Sequence, residues 1–326
     1  MLGVGNAIVD ILSQAEDAFI EQQGMVKGGM GLVDEARAHE IYGLMGSAVE
    51  ASGGSAANTI AGIASFGGRT AFIGKTKNDE FGQIFRHDLK SLGVHYDTPA
   101  ASDGIATARC LILVTPDAQR TMNTHLGACT NLGPDDIDPE LVAASSITYL
   151  EGYLFDPPQA KDAFRKASRL ARGAGRKVAL TLSDSFCVER YHDEFLGLIE
   201  EHIDILFANE AEIKALYPGS SLKEAVAALA GRVEIAAITR SERGSILAHG
   251  EERVKVPAQP IDELVDTTGA GDLYAAGVLY GLTRGLPLAE CGRLGSIAAS
   301  EVIGHYGARP VTSLRTIAQS HRIAAH

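Results

Sequence analysis

Beyond Pro134 the chain alternates short apolar runs with longer amphipathic stretches. The apolar runs are typical of buried strands and lie at Ile147–Leu150, Lys177–Leu182, Ile203–Phe207 and Glu234–Thr239. The amphipathic stretches predict helices at Gln159–Ala174, Asp193–Glu201, Glu210–Leu216 and Leu222–Ala230. Strands that alternate with helices of this size predict a doubly wound α/β fold, with a mainly parallel sheet and helices on both faces.

Simpler patterns flank this region on both sides. The run Leu2–Ile8 predicts a first buried strand, with Asp10 at its end. Two strand-like runs, Ser245–His249 and Arg253–Val256, predict a hairpin. Two apolar stretches, Ala270–Arg284 and Leu288–Ile303, predict C-terminal helices.

Two irregular excursions interrupt the α/β pattern. Residues 12–46 are broken by glycines, and residues 100–125 contain two strand-like runs that predict a hairpin. We expect the two excursions to pair as a small β-lid, and the large α/β part to comprise 1–11, 47–99 and 126–326. Ligands of doubly wound folds bind at the carboxyl ends of the strands, where such a lid would cover them.

Composition narrows the class of protein. Among 326 residues, 41 acidic side chains outnumber 29 basic ones, for a formal charge of −12. This surface disfavours nucleic acid and anionic membranes as partners. No apolar run approaches the roughly 18 residues of a transmembrane helix. The cysteines have no metal-binding spacing, so we interpret them as reduced thiols of a cytoplasmic protein.

The run Asp266-Thr267-Thr268-Gly269-Ala270-Gly271-Asp272 carries the strongest chemical signal. Its glycines allow a tight turn, and the helix that follows offers unpaired N–H groups and a positive dipole end to an anion. Asp272 would then lie beside a bound phosphoryl group. An ordinary helix start explains Gly-Ala-Gly-Asp equally well, but the full run with two threonines and two flanking aspartates is more specific.

Two further motifs have polar groups at helix starts. Gly53-Gly54-Ser55-Ala56-Ala57-Asn58 combines a turn that a ligand can approach with an amide that donates and accepts. Asn209 and Glu212 are three residues apart, and such a hard-oxygen pair suits hydrated Mg²⁺. The alternatives are a plain strand-to-helix turn and an ordinary helix cap.

Two other nucleotide-binding motifs are excluded by single positions. Gly74-Lys75-Thr76 resembles the end of a P-loop, but that motif requires glycine where this chain has Arg69. Gly3-Val4-Gly5 lacks the third glycine of a dinucleotide fingerprint, because position 8 is Ile8.

Together these motifs resemble the signatures of the ribokinase-like (phosphofructokinase-B) family of carbohydrate and nucleoside kinases. Gly53–Asn58, Asn209–Glu212, Thr239–Gly244 and Asp266–Asp272 occur in the family's order and span almost the whole chain. One departure is Ser241, where many members have glycine. Gly5-Asn6-Ala7-Ile8-Val9-Asp10 resembles the adenosine kinase branch, whereas fructokinase-like members tend to carry glutamate at the position of Asn6.

The resemblance implies a phosphotransferase that uses ATP with Mg²⁺ and in which Asp272 is the catalytic base. It implies an anion hole at Gly269, Ala270 and Gly271. It implies substrate contacts from Asn6, Asp10, Gly54, Ser55, Asn58, Arg120 and Tyr153. It implies ATP contacts from Asn209, Thr239, Arg240, Gly244, Thr268 and Gly271. Asn209 and Glu212 would hold Mg²⁺ through water, and potassium could bind beside Asp266–Thr268.

The substrate is less strongly determined than the chemistry. We expect Ile8, Leu126 and Tyr153 to form an apolar slot for a base, although Tyr153 could equally be a core aromatic. Arg120 is expected to contact phosphate, with an exposed hairpin arginine as the alternative. The interpretation is an adenosine kinase. A sugar kinase of the same family and a non-catalytic nucleotide-sensing protein are the alternatives, and both a monomer and a homodimer are compatible with the sequence.

Overall fold

The computed structural model describes residues 1–117, 119–155 and 157–323. The strands are β1 (Leu2–Val4), β2 (Ile8–Gln14), β3 (Met30–Leu32), β4 (Ala48–Gly53), β5 (Ala71–Ile73), β6 (Ala108–Val114), β7 (Arg120–His125), β8 (Ile147–Glu151), β9 (Lys177–Thr181), β10 (Ile205–Asn209), β11 (Ile235–Thr239), β12 (Ser245–His249) and β13 (Glu252–Val256).

The α-helices are α1 (Asp17–Gln22), α2 (Glu35–Leu44), α3 (Ser55–Ser65), α4 (Glu80–Ser91), α5 (Pro139–Ala144), α6 (Pro158–Gly173), α7 (Ser185–Arg190), α8 (His192–His202), α9 (Glu210–Leu216), α10 (Leu222–Leu229), α11 (Ala270–Thr283), α12 (Leu288–Val302) and α13 (Leu314–Ser320). Short 3-10 helices lie at Gly127–Asn131, Pro134–Asp136, Gly152–Phe155 and Ser241–Arg243.

The larger sheet confirms the predicted doubly wound α/β fold. Its strand order is β13-β12-β11-β10-β9-β8-β1-β5, parallel from β5 to β11, with β12 and β13 antiparallel at one edge. All five residues of β8 are buried, because helices cover both faces of the sheet. This explains why its strands have continuous apolar runs rather than an alternating pattern.

Helix α6 shows how the sequence pattern determines this packing. Its buried positions include Ala160, Ala163, Phe164, Ala167 and Ala171, which recur at the spacing of one helix face. They pack on one side of the sheet, while α11 and α12 cover the other side. The predicted helix at 193–201 is part of α8, which follows the separate helix α7.

The smaller sheet has the order β3-β7-β6-β2-β4 and contains the predicted hairpin between β6 and β7. Ala118, which the sequence analysis assigned to the turn of that hairpin, lies outside the described residues. The smaller sheet also includes β4 and β2. The sequence analysis assigned all of β4, and Ile8–Ile11 of β2, to the large α/β part. The prediction that Asp10 ends the first strand is therefore wrong.

The reason lies in the alternation of residues along β2. β1 stops at Val4, and Gly5-Asn6-Ala7 carries the chain to the smaller sheet. In β2, Val9 and Ile11 are buried on one face, while Ile8, Asp10 and Leu12 are half-buried on the other. This two-faced pattern suits an edge layer rather than the doubly covered sheet.

Two observations bear on the expectations drawn from composition. All four cysteines are buried, and none of them forms a disulfide bond. Within the described residues, no helix combines the length and the apolar character that crossing a bilayer requires.

Candidate active site

Helices α3 and α11 bring together the two glycine-rich motifs. They pack closely at Gly62, where an added Cβ would lie 2.6 Å from Leu273 Cδ1. This approach places Ser55 and Asn58, at the start of α3, against Asp272 in the first turn of α11. The two motifs are distant in the sequence, and helix packing makes them one site.

Asp272 is held by two side-chain hydrogen bonds. Ser55 Oγ donates to Oδ1 at 2.6 Å, and Asn58 Nδ2 donates to Oδ2 at 2.9 Å. Burial raises the pKa of Asp272, and the bonds from Ser55 and Asn58 and the charge of Arg309 oppose that rise. A half-buried carboxylate with a raised pKa and a fixed orientation has the properties of a general base.

The start of α11 has the geometry of an anion site. Gly269 adopts φ of 76°, which is a left-handed conformation suited to glycine, and it lets the chain turn into the helix. A Cβ added to Gly271 would meet nothing within 4 Å, so open space lies above this turn. Within the described residues, the structure gives the N–H groups of Gly271 and Asp272 no backbone partner. These donors and the helix dipole favour a phosphoryl group.

The Gly53-Gly54 turn allows close packing around Asp10. Gly54 has φ of 91°, and a Cβ there would lie 2.2 Å from the Asn6 carbonyl oxygen. A Cβ on Gly53 would lie 2.2 Å from Asp10 Oδ2, so the carboxyl of Asp10 packs directly over this residue. Burial raises the pKa of Asp10 to about 7, although the positive charges of Arg309 and Arg120 oppose the shift.

Arg309 is a site residue that the sequence analysis missed. Its Nε donates to the Ser52 carbonyl at 3.0 Å, and its Nη1 donates to the Ala57 carbonyl at 2.6 Å. Arg309 therefore holds the backbone on both sides of the Gly53-Gly54 turn. Burial lowers its pKa to about 10, opposed first by Asp10 and then by Asp272. Nothing in Ala308-Arg309-Pro310 signals this role, because its partners are more than 250 positions away.

Arg120 connects the smaller sheet to the Asp266–Asp272 loop at the start of α11. Its Nη1 forms an ion pair with Asp266, and the two side chains are 10% and 0% exposed. The alternative of an exposed hairpin arginine is therefore wrong. Nε and Nη2 of Arg120 are buried without a partner in the described part of the chain, which leaves two donors for an anionic ligand.

The carboxylate of Asp266 accepts three hydrogen bonds from neighbouring residues. Oδ1 accepts from the Thr268 N–H at 2.8 Å as well as from Arg120, and Oδ2 accepts from the Gly307 N–H at 2.9 Å. These bonds shape the loop that leads into α11. Potassium binding beside this loop stays a prediction.

Asn209 and Glu212 form a capping box at the start of α9. Asn209 Oδ1 accepts from the Glu212 N–H at 2.9 Å, and Glu212 Oε2 accepts from the Asn209 N–H at 3.0 Å. Burial raises the pKa of Glu212 to about 7, opposed by the Asn209 N–H and reinforced by Asp184 and Asp272. Glu212 Oε1 also accepts from Asn209 Nδ2 at 2.6 Å, so the helix-cap alternative is realised.

This donor set fits a hydrated Mg²⁺ held mainly by phosphates. Mg²⁺ retains several waters and binds proteins through one or two carboxylates. Within the described residues, no group of three or more His, Cys, Asp or Glu side chains could enclose a metal ion. Asn209 and Glu212 would hold such an ion through its water molecules.

The Thr239–Gly244 turn follows β11 at the same edge of the sheet. Ser241 adopts φ of 51°, the left-handed conformation that glycine would take there without strain. The departure from the family pattern therefore leaves the turn intact. The turn is closed by the Arg240 N–H, which donates to the Gly244 carbonyl at 2.8 Å.

The residues expected to form a base slot come from different parts of the fold. Ile8 packs against the cluster of Cys110, Ile112 and Val114 in the smaller sheet. Tyr153 lies in the 3-10 helix after β8, and burial raises the pKa of its phenol, with Asp184 the leading charge. Tyr153 therefore lies within the electrostatic influence of Asp184 and Glu212. A slot that includes both Tyr153 and Ile8 must span both sheets.

The chain is similar to a known family of kinases and to several individual kinases. Residues 32–314 match the pfkB family carbohydrate kinase. The crystal structure of adenosine kinase from Sinorhizobium meliloti is 52% identical, with a TM-score of 0.92 and 98% of each chain covered. A probable sugar kinase protein from Rhizobium etli CFN 42 is 48% identical, with a TM-score of 0.93, covering 99% of this chain and 98% of that one. Adenosine kinase from Saccharomyces cerevisiae is 26% identical over 86% of this chain and 88% of its own length.

Proposed function

Because this chain belongs to the pfkB family of carbohydrate kinases, we propose that it phosphorylates the 5′-hydroxyl of adenosine with ATP, giving AMP and ADP. It is an ATP-dependent kinase with an alcohol group as acceptor, so the non-catalytic alternative is set aside. The observation that carries the choice of adenosine is the 52% identity, over 98% of the chain, to the adenosine kinase from Sinorhizobium meliloti.

The proposed chemistry centres on Asp272. Its carboxylate accepts the proton of the substrate hydroxyl as that oxygen attacks the γ-phosphorus, and the bond to the leaving ADP oxygen breaks. The free N–H groups at the start of α11 and the dipole of the helix stabilise the charge on the transferring group. Mg²⁺, when bound with ATP near Asn209 and Glu212, would neutralise charge on the β- and γ-phosphates.

Acceptor recognition is proposed at the junction of the two sheets. Asp10, when ionised, can accept hydrogen bonds from two neighbouring ribose hydroxyls. Asn58 Oδ1 is buried without a hydrogen-bond partner in the described part of the chain, although Nδ2 of the same amide is bonded to Asp272. A buried acceptor of this kind is costly to leave unpaired, so a substrate hydroxyl is a suitable donor for it.

Arg120 is proposed to contact phosphate from the lid side. Its ion pair with Asp266 already places it beside the Asp266–Asp272 loop, and its two unpaired donors suit phosphate oxygens. On the nucleotide side, Thr239, Arg240, Gly244 and Thr268 are proposed to contact ATP.

A steady-state comparison of adenosine, inosine, guanosine, cytidine, ribose and fructose tests the substrate. Stacking of a base on an aromatic ring contributes ~1–3 kcal/mol, so kcat/KM for adenosine should exceed that for either sugar by at least about tenfold. Tyr153→Ala should raise KM for adenosine and leave KM for ATP nearly unchanged.

The similarity to the probable sugar kinase from Rhizobium etli favours the sugar kinase as the second candidate. A higher kcat/KM for ribose or fructose than for any nucleoside would establish that alternative and refute adenosine. The role of Asp272 would survive this outcome, because both reactions transfer a phosphoryl group to a hydroxyl.

A further inference from the structure

Glu151 is a buried carboxylate that joins two parts of the proposed acceptor site. It is the last residue of β8, at the carboxyl edge of the large sheet, and is 1% exposed. Oε1 accepts from Asn6 Nδ2 at 2.7 Å, and Oε2 accepts from the Ala56 N–H at 2.8 Å. A Cβ on Gly5 would lie 2.4 Å from Oε2, so this carboxyl needs a glycine beside it.

Both of these partners are hydrogen-bond donors, so the position requires a group that accepts at both ends. Only a carboxylate does so, because a glutamine would present one acceptor and one donor. Burial raises the pKa of Glu151 to about 7, opposed first by the Ala56 N–H and then by the Asn6 side chain. The two bonds therefore offset part of the cost of a buried charge.

The contact with Glu151 also determines which way the amide of Asn6 points. With Nδ2 committed to the carboxylate, the carbonyl Oδ1 must lie on the opposite side of the amide. Asn6 is 3% exposed, and its main chain abuts the Gly53-Gly54 turn. The orientation of this one amide decides whether Asn6 offers an acceptor or a donor to a bound hydroxyl.

We propose that Glu151 is a positioning residue for the acceptor substrate: it holds Asn6 with Oδ1 available to a substrate hydroxyl and anchors the start of α3. That helix start carries Ser55 and Asn58, which contact Asp272. The proposal rests on the proposed kinase function, and it holds whether the acceptor is a nucleoside or a sugar.

Two variants separate orientation from simple packing. In Glu151→Gln, the glutamine oxygen can still accept from the Ala56 N–H, but its amide nitrogen now faces Asn6. Asn6 can satisfy that donor by turning its amide over, which replaces Oδ1 by Nδ2 on the substrate side. The double variant Asn6→Asp/Glu151→Gln has an acceptor on both sides of residue 6. It keeps a hydrogen bond between the side chains of residues 6 and 151, the bond from the Ala56 N–H, and the total charge.

We expect Glu151→Gln to raise KM for the acceptor substrate at least about fivefold, the effect of one lost hydrogen bond. KM for ATP and kcat should stay within about twofold. Asn6→Asp alone sets two carboxylates against each other and should raise the same KM and lower the melting temperature. The double variant should restore acceptor KM to within about twofold of the wild type, which a purely structural role does not predict.

The control is Asp204→Asn, which makes the same chemical change at a carboxylate that accepts from a backbone N–H, that of Val178, at 2.8 Å. Asp204 directly precedes β10, at the edge of the sheet opposite the site. The KM values of Asp204→Asn for ATP and for the acceptor should therefore not change. The cycle is measured with whichever acceptor the wild type prefers, so a sugar preference refutes adenosine without touching this test.

Two results overturn the proposal. One is an unchanged acceptor KM in Glu151→Gln. The other is a double variant as impaired as the worse single one, and this result counts even if Glu151→Gln does not fold, because the double variant retains both side-chain contacts of residue 151 described above. A restored double variant beside impaired single variants supports the proposal.

Discussion

Replacing Asp272 with asparagine tests the proposed base with little disturbance of shape. The new side chain oxygen can accept from Ser55 Oγ, which donates at 2.6 Å in the wild type. Its amide nitrogen would face Asn58, whose amide can turn to present Oδ1, the atom that has no partner among the described residues. Ser55 Oγ and the new amide nitrogen thus each find an acceptor, and the fold should persist.

The magnitude follows from the environment of the carboxyl. A positioned general base contributes ~10²–10⁴-fold to rate, which corresponds to ~3–5 kcal/mol. Burial raises the pKa of Asp272 towards the working pH, where a base is most effective. We therefore expect kcat of Asp272→Asn to fall by ~10³–10⁴-fold, with KM for ATP little changed.

The assay is ADP release at saturating ATP and acceptor, with thermal unfolding measured in parallel. Asp138→Asn is the matched control, because Asp138 caps α5 through the Glu140 N–H and asparagine caps equally well. A folded Asp272→Asn protein with kcat within tenfold of the wild type would refute the assignment of Asp272 as base. The acid limb of the wild-type kcat profile should also lie above the pH at which an ordinary aspartate titrates.

Two other predictions concern acids whose pKa is raised in the fold. Glu212→Gln should raise the Mg²⁺ concentration needed for half-maximal rate several-fold, because one anionic ligand is lost. The control Glu224→Gln, in the exposed capping box of α10, should not raise it. Equal Mg²⁺ dependence of the rate for wild type and Glu212→Gln would show that Glu212 is not part of the metal site. Asp10 has a folded pKa of about 7 against an ordinary value of 3.8, so the native state holds an extra proton between these values and wild-type stability falls as pH rises through this window. Asp10→Asn should therefore melt at a higher temperature than the wild type at pH 8, with a smaller difference at pH 5, and should raise KM for the acceptor; a pH-independent difference in melting temperature would contradict the raised pKa.

The sequence by itself determined the large α/β sheet and the principal motif. Strands such as β12 and helices such as α9 lie at their predicted positions, because hydrophobic periodicity is a local property of the chain. The start of α11 at Ala270 was also predictable, since the glycines and the capping pattern of the Asp266–Asp272 run are local signals.

The tertiary structure decided which of the motif residues act on each other. Ser55 and Asp272 are 217 positions apart, and Asn6 and Glu151 are 145 apart. No periodicity or spacing signals such pairs, because the partner of a buried polar group is selected by the packing of whole helices and strands. The sequence did supply one weak cue at Glu151, an acid that follows an apolar strand run directly.

The assignment of strands to sheets was decided in the same way. Asp10 was predicted to end the first strand, yet it belongs to the smaller sheet, because β2 pairs with β4 and β6. Arg309 places a positive charge near Asp10 and Asp272. It lies in the C-terminal region, more than 200 positions after Asp10 in the sequence. A single sequence specifies which residues are available for chemistry, while burial and long-range packing decide which of them share a site and in what charge state.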